Sequence, residues 1–265
     1  KQFQNMQRTL FAKQLIQQTH LSMTDIAITA GYQSLRQLQR AIEQYCATSP
    51  TQLRKKEPVQ QKAISLFLSY RPPYNWPYVR DFLATRAIEG MERVTNESYE
   101  RYFSCNESVG FFKAIHDEAR HGFKLLIDMP DLGRLHTIIE NIKQVLDLHA
   151  DPLLIEQSLL QSGLPPSKLT HGLRLPSAWS VFESGCRAIV GQQVSVKAAI
   201  GQVTLLVHQL GETVSDALPS NGLESITSER YSFPSPESVA ENSLEFLRMP
   251  QARKEAVRHF ARLFI

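Results

Sequence analysis

The sequence predicts an α+β protein in which short helices precede a small antiparallel sheet and a larger helical region follows it. Apolar residues recur at steps of three and four over residues 10–45 and again over 135–207, which is the period of amphipathic helices. Between these regions, residues 64–70 and short segments up to residue 128 alternate apolar and polar side chains, as strands do. The predicted domains are residues 1–57, 63–130 and 131–265.

The composition is that of an ordinary globular protein, with 42% hydrophobic and 21% charged residues among 265. No apolar run approaches the ~20 residues that are needed to cross a bilayer, and no export signal is recognisable. Three isolated cysteines, Cys46, Cys105 and Cys186, form neither a disulfide framework nor a metal-binding pair. We therefore expect a cytoplasmic protein with no membrane or protein partner, no cofactor and no metal.

Positive charge is concentrated at the start of the chain. Residues 1–62 contain nine Lys and Arg against three acidic residues, whereas the remainder contains 20 basic and 23 acidic residues. This distribution favours a polyanionic partner for the N-terminal segment, with a solvated basic surface as the alternative.

Both ends suggest a segment of a longer protein. The chain opens on Lys1 without an initiator methionine. It closes in an amphipathic helical pattern over residues 252–264, and nothing in the sequence is predicted to cover that apolar face.

The N-terminal segment has the pattern of a helix, a glycine-containing turn and a second helix. Ser22 precedes a short apolar helix that Gly31 ends, and Ser34 is placed to cap the next helix. That next helix is predicted to carry exposed polar side chains suited to bases and phosphates. A three-helix packing unit that binds no DNA has the same spacing. The DNA-binding candidates are Ser34, Arg36, Gln37, Gln39 and Arg40.

Three segments of this region, residues 24–27, 30–38 and 48–54, keep fixed spacings from one another and carry a match that covers about 55 residues. They closely resemble the second helix-turn-helix of AraC-type transcriptional regulators. The Ser34-Leu35-Arg36 version resembles the Ada-type alkylation-response regulators in particular. The resemblance implies promoter DNA as a partner.

Further along, a polar glycine-led joint, Gly191-Gln192-Gln193, separates two apolar helical patterns. Trp179, Phe182, Cys186 and Ile189 are spaced for one face of the first helix, and Ser195 is placed to start the second. Such a joint can approach a ligand closely, because glycine lets the backbone come near. A helix-helix turn that only needs a left-handed residue explains the same sequence.

The strand, the Pro72-Pro73 loop and the helix after it, together with residues 172–196, resemble 3-methyladenine DNA glycosylase II (AlkA-type) in the correct order over about 200 residues. The resemblance implies double-stranded DNA with alkylated bases as the substrate. It further implies that Phe82 lines the pocket for a flipped base, that Gln193 is the wedge inserted into the minor groove, and that Gln192 is its neighbour there. A core aromatic is the alternative for Phe82.

Members of this family carry a glycine-rich helix-hairpin-helix and then a catalytic aspartate, and neither is matched here. No Gly-x-Gly occurs in the sequence, and the last aspartate, Asp216, stands in a predicted loop. We therefore assign no catalytic residue and expect these 265 residues to be inactive alone.

The leading hypothesis is a fusion of a transcription-regulator helix-turn-helix with a glycosylase that excises alkylated bases by N-glycosidic hydrolysis. The first alternative is a non-catalytic DNA-binding regulator or damage sensor. The second is a helical interaction protein that binds no DNA.

Overall fold

The computed structural model describes residues 2–54, 63–105, 108–213 and 230–265. Its N-terminal part is helical. The Ser22 hydroxyl accepts a hydrogen bond from the Asp25 amide, and the Ser34 hydroxyl accepts one from the Gln37 amide, so both predicted caps are present. Gly31, between the two capped helices, has a φ of 76°, a left-handed conformation that glycine adopts without strain. The four helices are α1 (Gln2–Gln18), α2 (Met23–Thr29), α3 (Leu35–Cys46) and α4 (Pro50–Leu53).

A five-stranded antiparallel sheet follows, which confirms the predicted small antiparallel sheet. The strand order is β1-β5-β4-β3-β2, with α5 inserted between β1 and β2 along the chain. Leu66 is opposite Leu125 and Tyr99 is opposite Ala114, so the inward-facing apolar residues of neighbouring strands meet. The bounds are β1 (Ile64–Ser69), α5 (Trp76–Arg86), β2 (Glu92–Val94), β3 (Ser98–Cys105), β4 (Ser108–Asp117) and β5 (Gly122–Asp128).

The remainder of the described chain is helical, as the sequence predicts. The bounds are α6 (Leu135–Val145), α7 (Pro152–Gln161), α8 (Val181–Val190), α9 (Val196–Leu210), α10 (Pro236–Glu241) and α11 (Gln251–Ala261). Asp151 caps α7 with Pro152 in its first turn, and Ser195 caps α9. No helix within the described residues is long and apolar enough to cross a membrane.

Two sequence expectations are wrong here. Trp179 does not belong to the face of α8, because Ser180 caps that helix and the indole stacks on the rings of Phe103 and Phe112 in the sheet. The C-terminal apolar face does have a partner, since Phe260 of α11 stacks on Phe182 of α8 with 6.1 Å between ring centroids.

The buried apolar residues form two clusters. The first contains residues from α1 to α3, the sheet, α5, α6 and Trp179, and the second contains residues from α8 to α11. Ile88 and Met91, which connect α5 to β2, pack in the second cluster and join it to the sheet region. The domain boundary at residue 131 stays a prediction. α6 follows this boundary in the chain, yet its buried residues lie in the same cluster as those of the sheet. The boundary at residue 57 lies outside the described residues.

The N-terminal helices are docked on the β1 edge of the sheet. The side-chain amide of Gln14 donates to the Phe67 carbonyl at 3.2 Å, and the Phe67 amide donates to Gln18 Oε1 at 2.8 Å. These two glutamines satisfy backbone groups that an edge strand otherwise leaves unpaired. The opposite edge strand of the sheet, β2, contacts α8 through the pair of Glu92 and Arg187.

Candidate nucleic-acid interface

The joint between α8 and α9 is an exposed turn. All side chains from residue 192 to residue 198 are exposed, including Lys197, so a ligand can reach the turn from solvent. The Gly191 amide donates to the Arg187 carbonyl at 2.9 Å and closes α8. Ser195 then caps α9 through the Ala198 amide.

The left-handed residue of this turn is Gln193 and not the glycine. Gln193 has a φ of 59°, whereas Gly191 has a φ of −78°, which any residue adopts. A non-glycine residue in the left-handed region costs roughly 1–2 kcal/mol. The turn therefore holds a strained glutamine at its exposed tip, and such strain is concentrated at functional sites.

Phe82 lines a small cavity between the sheet region and α8. The ring is half-buried, and the guanidinium carbon of Arg86 lies 3.8 Å from its centroid. The cavity has a volume of about 130 Å³. Its walls are Phe82, Leu83 and Arg86 of α5, Glu92 of β2, Tyr99 and Arg101 of β3, Pro176, Ser177 and Ala178, and Glu183 and Arg187 of α8.

A buried ionic network forms one side of this cavity. Arg101 is 2.8 Å from Glu92 and is also paired with Glu183, and Arg187 is 2.8 Å from Glu183 and 2.9 Å from Glu92. The Tyr99 hydroxyl donates to Glu92 at 2.6 Å. Two guanidiniums and two carboxylates thus neutralise one another, which is what burial of charge requires.

The network holds the Glu92 carboxylate in the ionised state. Burial opposes the charge on Glu92, but the guanidiniums of Arg187 and Arg101 outweigh it and keep the pKa of this carboxyl below its usual range. Burial is also the main reason that the pKa of Tyr99 is raised well above 10.0, so its hydroxyl remains a donor. A carboxylate bound in this way positions other groups, and Glu92 is poorly suited to accept a proton from a ligand.

The same network connects the cavity to the exposed turn. Arg187 donates from Nη1 to the Arg86 carbonyl at 3.0 Å, at the end of α5, and lies one helical turn before Gly191. The C-terminal ends of α5 and α8 are therefore bonded to each other. The structure thus brings the helix of Phe82 and the helix that leads into Gln192 and Gln193 together.

The remaining sequence candidates lie elsewhere, on α3. Ser34 caps the helix, and the Gln37 side chain accepts from the Gln33 amide at 3.1 Å. Arg36, Gln39 and Arg40 are exposed. An open groove of about 590 Å³ runs between α1 and α3 and is lined in part by Arg8, Tyr32, Gln37, Arg40 and Gln44. This surface is separate from the cavity that Phe82 lines.

The network is the part of the site that sequence reasoning missed. The local sequence pattern indicates only the ion pair of Glu183 and Arg187, which are four residues apart on one helix. Their partners on β2 and β3 come close only through the fold. In the parts of the chain that the structure describes, no group of three His, Cys, Asp or Glu side chains is arranged to hold a metal ion.

Known DNA-repair proteins are similar to this chain in sequence. Residues 65–180 match the family model of the AlkA N-terminal domain. The DNA-3-methyladenine glycosylase 2 of Escherichia coli is 33% identical over 198 residues, which are 73% of this chain and 65% of the relative. The probable bifunctional transcriptional activator/DNA repair enzyme AlkA of Mycobacterium tuberculosis is 30% identical over 263 residues, 95% of this chain and 50% of the relative. The chain thus spans between half and two thirds of these relatives.

Solved structures share the fold at low sequence identity. The 3-methyladenine DNA glycosylase of Archaeoglobus fulgidus aligns with a TM-score of 0.58 and 17% identity, over 74% of this chain and 66% of that protein. The 8-oxoguanine glycosylase/lyase of Clostridium acetobutylicum, solved with double-stranded DNA, aligns with a TM-score of 0.51 and 14% identity, over 77% of this chain and 63% of that protein. The homology to DNA-3-methyladenine glycosylase 2 rests on the sequence match over 198 residues, and residues 65–180 correspond to the AlkA N-terminal domain.

Proposed function

We propose that this chain is the lesion-recognition part of a DNA glycosylase that acts on alkylated bases, joined to a sequence-reading helix-turn-helix. The observation that carries the proposal is the exposed, strained turn at Gln192 and Gln193. The helix that precedes this turn also forms a wall of the cavity that Phe82 lines. A glycosylase needs these two elements side by side, because the extruded base and the gap that it leaves are neighbours in DNA.

In this proposal Gln193 enters the minor groove and takes the place of the extruded nucleotide. Extrusion costs a few kcal/mol of stacking and pairing, and an inserted side chain offsets part of that cost. A glutamine has an amide donor and an acceptor, so it holds the gap by hydrogen bonding to the unpaired base. Gln192, also exposed, lies beside it. The extruded base then stacks in the cavity at Phe82.

Base release is proposed for the whole protein and not for these 265 residues alone. Hydrolysis of the N-glycosidic bond needs a carboxylate that faces the sugar as positive charge develops there. Glu92 and Glu183, the carboxylates that line the cavity, are each bound by two guanidiniums. We expect the chain to bind and open damaged DNA without turnover.

The test compares binding to a duplex that contains a stable abasic-site analogue with binding to the matching intact duplex, by fluorescence anisotropy at several salt concentrations. We expect tighter binding to the abasic duplex, and affinity for both that falls with salt. Gln193→Ala should remove most of the preference and leave binding to intact DNA unchanged. A wild-type chain that binds both duplexes equally would favour the alternative, a regulator without damage recognition.

The helix-turn-helix is proposed from the exposed polar residues of α3. The Mycobacterium tuberculosis relative, a probable bifunctional transcriptional activator/DNA repair enzyme, supports this proposal. Replacing both Arg36 and Arg40 by alanine should weaken binding to intact DNA by about 1 kcal/mol or more. The charge-matched control is Arg120→Ala with Lys124→Ala, on exposed positions of the β4–β5 hairpin. Equal losses in the two variants would mean that α3 is not a specific DNA-binding element.

A further inference from the structure

One face of the Phe82 ring is already occupied, by another residue that lines the cavity. The guanidinium carbon of Arg86 lies 3.8 Å from the ring centroid, well inside the ≈ 6 Å range of a cation–π contact. Arg86 is four residues after Phe82 on α5, so the helix itself brings the two side chains together. A base that stacks on this face must first displace a cation.

The Arg86 guanidinium is weakly held. Its hydrogen bond to the Phe82 carbonyl is 3.2 Å long, and among the described residues no carboxylate lies within salt-bridge distance of it. By contrast, Arg101 and Arg187, the other two guanidiniums at the cavity, are each paired with both Glu92 and Glu183. Displacement of Arg86 therefore forfeits one half-buried cation–π contact and one hydrogen bond, and no ion pair.

Displacement also enlarges the cavity. Its volume of about 130 Å³ is below the ≈ 300–1,000 Å³ that is usual for small-molecule sites. The charged walls on β2, β3 and α8 are fixed by the network, and Phe82 and Leu83 are packed against the sheet core. Arg86 is a long, half-exposed side chain near the end of its helix, so it can swing into solvent without disturbing the core.

We propose that Arg86 is a displaceable occupant of the base site and that it lowers the affinity of this site for every base. This inference rests on the proposed function. The face of an aromatic ring is negative, so it attracts a cationic alkylated purine in place of the cationic guanidinium. A neutral base offers the ring no such charge and binds it less strongly. Displacement of Arg86 costs the same free energy for each base, so the bases that the ring attracts weakly fail to bind.

The experiment measures binding of two free nucleosides by calorimetry, in weakly acidic buffer where N7-methylguanosine carries a cationic purine and guanosine is neutral. The variant is Arg86→Gln, which removes the charge and keeps a polar side chain. The control is Arg80→Gln, on the same helix, where the arginine is paired with Asp81 at 2.8 Å. Thermal unfolding verifies that both variants are folded.

We expect the wild-type chain and the control to prefer N7-methylguanosine. Arg86→Gln should bind both nucleosides about two- to fivefold more tightly, which corresponds to the loss of one cation–π contact, and the preference for N7-methylguanosine should remain. Unchanged affinity of Arg86→Gln for both nucleosides, or no nucleoside binding by any of the three proteins, would overturn the inference. The abasic-duplex measurement tests the proposed function separately, since it does not need the base site to be filled.

Discussion

The buried network predicts a large loss of stability when Glu183 is changed to glutamine. The side chains of Glu183 and Arg101 are only 1% and 2% exposed, so water cannot replace the lost charge. Arg101 and Arg187 would then share a single carboxylate, Glu92. Breaking a buried ion pair by removal of one partner costs about 3–5 kcal/mol, because the other charge stays buried without compensation.

Urea and thermal unfolding, followed by circular dichroism, measure this loss. At about 2–4 °C per kcal/mol for a protein of this size, the melting temperature should fall by about 6–20 °C. The matched control is Asp81→Asn, which breaks the exposed pair with Arg80 and should change stability by less than about 1 kcal/mol. A further variant, Arg101→Met with Glu183→Leu, removes one buried pair together and should recover most of the loss.

A Glu183→Gln protein that unfolds within about 1 kcal/mol of wild type would refute this reasoning. That result would mean that the two guanidiniums are solvated and that the network does not fix α8 to the sheet. Glu183→Gln should also weaken the preference for abasic DNA. Glu183 binds Arg187, which lies one helical turn before the Gln192–Gln193 turn, so the position of that turn depends on the pair.

Three further predictions concern single residues. Gln193→Gly should leave the free energy of unfolding unchanged or raise it by up to about 1 kcal/mol, because glycine adopts the left-handed conformation without strain. The preference for abasic DNA should fall in the same variant. A destabilised variant in thermal unfolding would contradict this prediction. Because the pKa of Glu92 is lowered on folding, its stabilising contribution is present above the unfolded value of about 4.3 and is lost as pH falls through the folded value. Urea midpoints measured across acidic pH should show this loss, and Glu92→Gln should flatten it; an unchanged slope would speak against the lowered pKa. Arg174→Lys should destabilise the chain by about 3 kcal/mol in urea unfolding, because the buried guanidinium donates to the carbonyls of Arg71, Pro73, Asp147 and Ala150 and a lysine cannot reach all four; unchanged stability would exclude that role.

The local elements could be predicted because their signals are local. Ser22 and Ser34 cap helices through amides three residues away, and alternation over residues 64–70 needs only one buried face. Trp179 shows where such reasoning fails. Its spacing fits the face of α8, but that helix begins only after its Ser180 cap, and the partners of the ring are on distant strands.

The candidate site was predictable only in part, for the same reason. The local pattern marks the polar joint that contains Gln193, but the roles of Phe82 and Gln193 came from a resemblance to a family. The ion pairs join β2, β3 and α8, so their existence depends on the tertiary structure. The Arg86 contact with Phe82 lies within one helix, yet its significance depends on the cavity, which the sequence does not reveal.

Site-directed disulfide trapping tests most directly whether the Gln192–Gln193 turn enters DNA. Gln193→Cys would be introduced in a Cys46→Ser background, because Cys46 is half-buried whereas Cys105 and Cys186 are buried. The duplex would carry a thiol tether on the base opposite an abasic analogue, and Ser162→Cys, at an exposed position after α7, is the control. We predict rapid crosslinking of Gln193→Cys to the abasic duplex and slow crosslinking of the control. Equal rates for the two variants, or for abasic and intact duplexes, would contradict insertion of this turn.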